Sequence, residues 1–217
     1  MNKFRFSKKG QELIKIYEQM AREGYDRSDQ IKVEDAFSDF ELRAYRSQIR
    51  TVLQKHSIKM LLDYGCGGSD WYVPGFDKES GQSAAEYFNL QSVYRYEPAR
   101  DLDERKLVEC VISFDVLEHV FVADVPYVIR DMFSLATKLL VVNVACYPAA
   151  ARLPNGENAH VTARHPAWWK GMFDCLSVEF PEIIIYLICS TGWRKSSAFP
   201  EWSAGAWPES TTFVINN

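Results

Sequence analysis

Three things are scarce in this chain: paired cysteines, clustered positive charge and long apolar runs. Its five cysteines, Cys66, Cys110, Cys146, Cys175 and Cys189, are odd in number, and none stands in a Cys-x-x-Cys pair. A disulfide framework and a thiolate zinc site are therefore not expected. Lysine and arginine total 25 against 29 acidic residues, a formal charge of −4. The basic residues are scattered, with only short pairs such as Lys8-Lys9 and Arg194-Lys195. Nucleic-acid partners call for cations gathered on one face, so this balance argues against one. No stretch approaches the roughly 18 apolar residues of a membrane span, and the opening MNKFRFSKKG has no apolar signal core. A cytoplasmic protein with no membrane association is the resulting expectation. Internal repeats and low-complexity segments are also missing.

What is present is a globular composition. The 217 residues are 47% hydrophobic and 25% charged, which suits one domain with room for a small appended lobe. The periodicity then divides the chain. Residues 7–24 place Leu13, Ile14, Tyr17 and Met20 on one helical face, with Gly24 as a stop. A second helix is predicted from about Val33 to His56, with Phe37, Phe40, Leu42, Tyr45, Ile49, Val52 and Leu53 as its stripe. Buried strands are predicted at 58–64, 92–97, 109–115 and 138–145. A short helix is expected within 80–90. Another spans 122–136, with Asp124 as N-cap and Pro126 in its first turn. HPAWWKGMFDCL (165–176) reads as a helix, with His165 at its start. SVEF (177–180) and 183–190 suggest a further strand, and 210–216 the last.

Near-continuous apolar strands alternating with helices indicate an α/β fold with a mainly parallel, doubly wound sheet covered on both faces. The final strand pair, with no clear helix between, suits an antiparallel edge hairpin. Ligands in such folds bind outside the carboxyl ends of the strands. The glycine loop of LLDYGCGGSD (61–70), Glu97, Asp115 and Asn143 all fall at or near such ends.

The loop does not fit a phosphate. A dinucleotide fingerprint wants glycine at its first, third and sixth positions; Gly65 and Gly67 fit, but the sixth is Asp70. The Gly-Lys-Ser/Thr of a nucleotide-hydrolase loop is missing. Asp63, two residues before Gly65, would repel a pyrophosphate and attract a cation. Glu97, at the next strand end, suits a ribose diol, through charge-assisted bonds of roughly 1.5–3 kcal/mol each.

LLDYGCGG, YRYEPA and ISFDVLEHV together resemble the successive motifs of class I S-adenosylmethionine-dependent methyltransferases. The resemblance covers roughly Ile58 to Ala145 plus the terminal strand pattern. It implies a Rossmann-like seven-stranded sheet with the last strand inserted antiparallel. It implies S-adenosylmethionine as cofactor, with Asp63, Gly65 and Gly67 by its methionine end. Glu97 would hold the ribose, and Asp115 would sit at the pocket edge. The implied cofactor set is Asp63, Tyr64, Gly65, Cys66, Gly67, Glu97, Pro98, Asp115 and Val116. Residues 1–57 become an N-terminal helical cap or lid, and 58–217 the methyltransferase domain, with an acceptor-side insertion at about 147–170. The second helix and this insertion are expected to cover the acceptor. Two features depart from the family pattern. The gap from Asp63 to Glu97 is long, and the usual third strand is hidden in the polar ARDLDERKLVE (99–109), where Leu102, Asp103 or Arg105 would meet the adenine.

The acceptor side is read from chemistry. His160 and His119 are candidate general bases, histidine being the usual one near neutral pH. His160 is equally a plausible structural loop histidine, and Glu118 and His119 a surface pair. Asn143, Asn158, Trp168 and Trp169 are candidate substrate contacts, the tryptophans either as an aromatic wall or as core anchors. The Asp/Asn-Pro-Pro-aromatic signature of exocyclic-amine methylation is missing after Phe114. The expectation is therefore methyl transfer to a small-molecule or glycan-type acceptor, at oxygen. The alternatives are a non-catalytic cofactor-binding partner subunit and an RNA or other-acceptor methyltransferase, with Cys146 as nucleophile. No metal-ligand spacing stands out, since His160 and His165 are an i, i+5 pair.

Overall fold

The computed structural model describes residues 6–26, 32–33, 40–195 and 206–216. Helix α1 (Lys8–Glu23) starts at Ser7, whose Oγ accepts the Gly10 N–H, and stops at Gly24 with φ 73°. The expected stop and face are both found. A small hairpin follows, β1 (Tyr25–Asp26) against β2 (Lys32–Val33). The second helix differs from its prediction. Val33 is in a strand, and the helical part is split at Tyr45 into α2 (Phe40–Ala44) and α3 (Arg46–Lys55). Phe37 lies outside the described residues.

Then come β3 (Met60–Tyr64), α4 (Ala84–Tyr87), β4 (Ser92–Glu97), β5 (Leu102–Asp103) and β6 (Val108–Phe114). They are followed by α5 (Val125–Leu135), β7 (Ala136–Ala145), α6 (Pro166–Ser177), β8 (Ile184–Lys195) and β9 (Ala206–Ile215). The seven large-sheet strands are ordered β5-β4-β3-β6-β7-β8-β9. β4, β3, β6, β7 and β8 run parallel. The outer strands β5 and β9 run antiparallel to their neighbours. The fold is thus Rossmann-like α/β with an antiparallel last strand. That strand forms an edge hairpin with β8; it is not inserted between two others, as the resemblance implied. Before β6 begins at Val108, the polar 99–107 stretch yields only the two-residue β5, because it lacks apolar residues for two buried faces. SVEF (177–180) is the end of α6 and a turn, not a strand.

Alternation along the strands divides the core. Leu62, Val111, Leu140 and Ile185 face α5 and α6, meeting Ile129, Phe133, Trp169 and Phe173. Leu61, Ile112, Leu139 and Tyr186 face the other side, meeting Ile49, Leu53, Trp71 and Phe88. Each such side chain, fully buried, is worth roughly 1.5–3 kcal/mol of transfer free energy. The segment 1–57 therefore divides: α3 covers a sheet face, while α1 packs with Leu153 and Ala159 in a third, smaller cluster. Among the described residues no helix is long and apolar enough to cross a membrane.

Candidate functional site

β3 is flanked by β4 on one side and β6 on the other, so the strand order reverses at β3. Side chains and loops from these three carboxyl ends converge on one cavity of about 670 Å³. This is a size typical of small-molecule sites. Its floor contains Asp63, Tyr64, Gly65, Cys66 and Gly67 after β3, Glu97 and Pro98 after β4, and Asp115 and Val116 after β6. Its roof is Leu13, Ile14, Tyr17 and Met20 of α1, with Glu41 and Leu42 of α2. One side wall is Tyr147, Ala149, Ala159 and His160, facing His119. No lysine or arginine lines it among the described residues.

The floor is braced by backbone groups. Glu97 Oε2 accepts the Gly67 N–H at 2.9 Å, and its Oε1 accepts the Ala99 N–H at 2.9 Å. Burial raises the Glu97 carboxyl above its ordinary value, against those two N–H groups. Asp63 is buried, and its Oδ2 accepts the Trp71 indole N–H at 2.8 Å. Gly65 has φ +82°, and a Cβ there would lie 2.4 Å from Val116 Cγ2. Its smallness lets the β6 loop close onto the glycine loop. Burial pushes the Cys66 thiol up, so it is no thiolate nucleophile.

Where the β6 end of the floor meets the side wall, three side chains converge. Asp115 sits in the left-handed region at φ +57°. Its Oδ2 is 3.9 Å from His119 Nε2 and its Oδ1 is 3.8 Å from His160 Nε2. The two imidazoles are T-shaped at 4.8 Å. His160 Nδ1 meets the Tyr147 carbonyl at 2.6 Å, and His119 Nδ1 meets the Ala159 carbonyl at 3.0 Å and the Tyr17 hydroxyl at 2.8 Å. The carbonyls select the Nδ1–H tautomer, which turns both Nε2 lone pairs toward Asp115. Burial, then the neighbouring His119, pushes His160 down to about 4. Burial acts to raise Asp115, but the two histidines hold it below its ordinary value.

Two further carboxyls belong to this charge cluster. Glu118 is fully buried; its Oε1 accepts the Ala145 N–H, and its Oε2 has no hydrogen-bond partner. Glu41 Oε2 is likewise shielded and unpartnered among the described residues. Burial, then the Asp115 charge, pushes both well up.

The structure places the remaining sequence candidates away from the cavity. Asn143 donates to the Ile188 carbonyl at 3.2 Å and to Ser190 Oγ at 2.9 Å, tying β7 to β8. Asn158 closes the 149–158 loop, accepting the Ala149 N–H and donating to the Ala149 carbonyl. It also accepts the His160 N–H, so it positions that residue. Trp169 is fully buried on α6, and Trp168 packs beside it. They are core anchors, because the apolar face of α6 needs them against the sheet. His165 caps α6 by accepting the Ala167 N–H, as its place before Pro166 suggested. Asp103 and Arg105 pair with each other, and Arg105 also reaches Asp131. Leu102, Asp103, Arg105 and Cys146 do not line the cavity.

Sequence reasoning missed the roof's polar members. Tyr17 was read only as part of an apolar stripe, and Glu41 not at all. Asp124 stands at the N-cap of α5, as expected, but its side chain makes no capping bond there; its carboxylate accepts the Ser7 N–H at 2.8 Å and the Ser7 hydroxyl at 2.7 Å, docking α1. The sequence also suggested no metal set, whereas Asp115, His119 and His160 bring one ligand atom each to within 4.8 Å of the others. The Asp-x-x-x-His spacing of 115 and 119 was the signal available. No family model, curated protein or solved structure matches the chain.

Proposed function

We propose that the protein is an S-adenosylmethionine-dependent methyltransferase acting at an oxygen of a small-molecule or glycan-type acceptor. The observation that carries this reading is the charge of the cavity. Asp63, Glu97 and Asp115 stand at three adjacent strand ends around a glycine loop. Carboxylates in a site of low dielectric repel a diphosphate and attract a cation. That favours a ligand bearing ammonium and sulfonium groups over a dinucleotide. The residues present fit such a nucleoside.

When bound, S-adenosylmethionine supplies a methyl carbon activated by a positively charged sulfur. The chain's own groups do the rest. Glu97, held at both oxygens by backbone N–H groups, keeps further lone pairs for a ribose diol. Asp63, held by Trp71, presents negative charge toward an ammonium group. Gly65 and Gly67 let backbone approach the ligand without a side chain between. α1 and the wall at 147–160 exclude water and hold the acceptor in line with the methyl carbon, which is the main source of rate for such a transfer. His160 titrates near 4 and is neutral at pH 7. It therefore offers a lone pair but little basicity, which weakens its reading as general base.

Calorimetry with S-adenosylhomocysteine and with NAD tests this. Saturable S-adenosylhomocysteine binding is expected, weakened at least about tenfold, or roughly 1.4 kcal/mol, in Asp63→Asn. The amide retains an acceptor for Trp71, so the loss reports charge. Binding of NAD but not S-adenosylhomocysteine overturns the reading.

A further inference from the structure

We propose that Asp115, His119 and His160 form a site for one divalent transition-metal ion at the acceptor side of the cavity. The three ligand atoms lie within 4.8 Å of one another. Bonds of roughly 2.0–2.2 Å to a common ion need only a modest inward rotation of the side chains. The donor set is two imidazoles and one carboxylate, which leaves coordination positions open and selects first-row transition ions over magnesium or calcium.

Three independent features fit a ligand set and not a casual cluster. First, each histidine has its Nδ1 on a main-chain carbonyl, Tyr147 for His160 and Ala159 for His119. That is the outer arrangement that fixes the tautomer and aims Nε2 at a metal. Second, the Nε2 atoms and the Asp115 oxygens stand at 3.8–3.9 Å, too far apart to hydrogen-bond each other. All three present lone pairs inward. Third, Glu118 is fully buried and Glu41 partly so; each has an unpartnered oxygen, and the Asp115 charge acts on both. A cation held at Asp115 offsets that repulsion. Asp115 is also held at φ +57°, a conformation that costs energy in a residue other than glycine and that clusters at functional sites.

The role assigned to the ion rests on the methyl-transfer reading; its existence does not. As a Lewis acid it would polarise the acceptor hydroxyl. The hydroxyl proton leaves to solvent. The oxygen lone pair forms the new O–C bond to the methyl group. The C–S bond breaks with its electron pair going to sulfur, which becomes neutral. No oxidant or reductant enters.

The test is Co²⁺ titration of the full chain at pH 7.5, followed by visible absorption and calorimetry. One equivalent is expected to bind. His160→Gln and Asp115→Asn are each expected to weaken it about 100-fold or more, since even outer partners of metal ligands are worth 10–100-fold. Asparagine tolerates the left-handed backbone at 115, and circular dichroism checks that both variants fold. Tyr17→Phe, which removes a group holding His119 Nδ1, is expected to weaken binding about tenfold through positioning. Trp168→Phe should leave it unchanged. Failure of Co²⁺ to saturate below millimolar concentration, or binding that survives both ligand substitutions, overturns the site. S-adenosylhomocysteine calorimetry on the same samples separates the two ideas. Cobalt binding without S-adenosylhomocysteine binding sinks the methyltransferase reading alone; the reverse sinks the metal site alone.

Discussion

The floor and the roof of the cavity are built by different means. In the floor, Glu97 and Asp63 are held by groups in the loops that directly follow β3 and β4: Glu97 by Gly67 and Ala99, Asp63 by Trp71. The roof and wall are held by contacts spanning long stretches of chain. Ser7 reaches Asp124 across 117 positions, Tyr17 reaches His119 across 102 and Ala159 across 142. The floor is therefore part of the fold's central framework, and the roof is docked upon it. Ligand recognition by the floor and closure by the roof can be separated by mutation.

The largest effect is expected in the floor. Gly65→Ala places a methyl group against Val116 in a left-handed backbone. It should cost about 3 kcal/mol or more, read by urea denaturation, and should abolish S-adenosylhomocysteine binding. A cost near zero would mean that the loop is as adaptable as the roof.

Next is the wall. His160 titrates at about 4 in the folded chain and near 6.5 when unfolded. The unfolded chain thus binds its proton first on acidification. The stability that His160 contributes is complete above about pH 6.5 and is lost as pH falls toward 4. Between pH 7 and 5 the loss is about 2 kcal/mol, and it should vanish in His160→Gln. Glu41, Glu97 and Glu118, whose carboxyls are raised, change stability in the opposite sense in both proteins. The difference between wild type and variant isolates His160. Identical pH profiles would remove the buried, neutral description of this residue.

The smallest effect is at the docking contact. Asp124→Asn weakens its bonds from Ser7 and should cost about 1–2 kcal/mol. Hydrogen exchange should quicken in α1 while β3 and β6 stay protected. Equal quickening in floor and roof would erase the distinction between them.

This contrast also explains what could be read from the residues alone. The glycine loop, Asp63, Glu97 and Asp115 were legible as one set because each sits at a strand end, and apolar runs mark strand ends; Val116 entered only with the motif resemblance. α1 was legible through its spacing, and its four apolar residues do line the cavity. Asn143 and Trp169 were misleading for one reason. A polar or aromatic residue near a site can equally serve the sheet or a helix face, and sequence does not show which way it points. Asn143 bonds to β8, and Trp169 fills the core.

The sequence by itself determined the order of strands and helices, the glycine turn and the acidic strand ends. These follow from periodicity and local backbone preference, which act over a few residues. The edge hairpin of β8 and β9 was also expected from the missing helix between them. Only the tertiary structure decided that the hydroxyl of Tyr17 and the carboxyl of Glu41 face the cavity, and that His119 and His160, 41 positions apart, meet at Asp115. Such convergence depends on how whole elements pack, and packing sums many weak contacts among residues that share no local pattern.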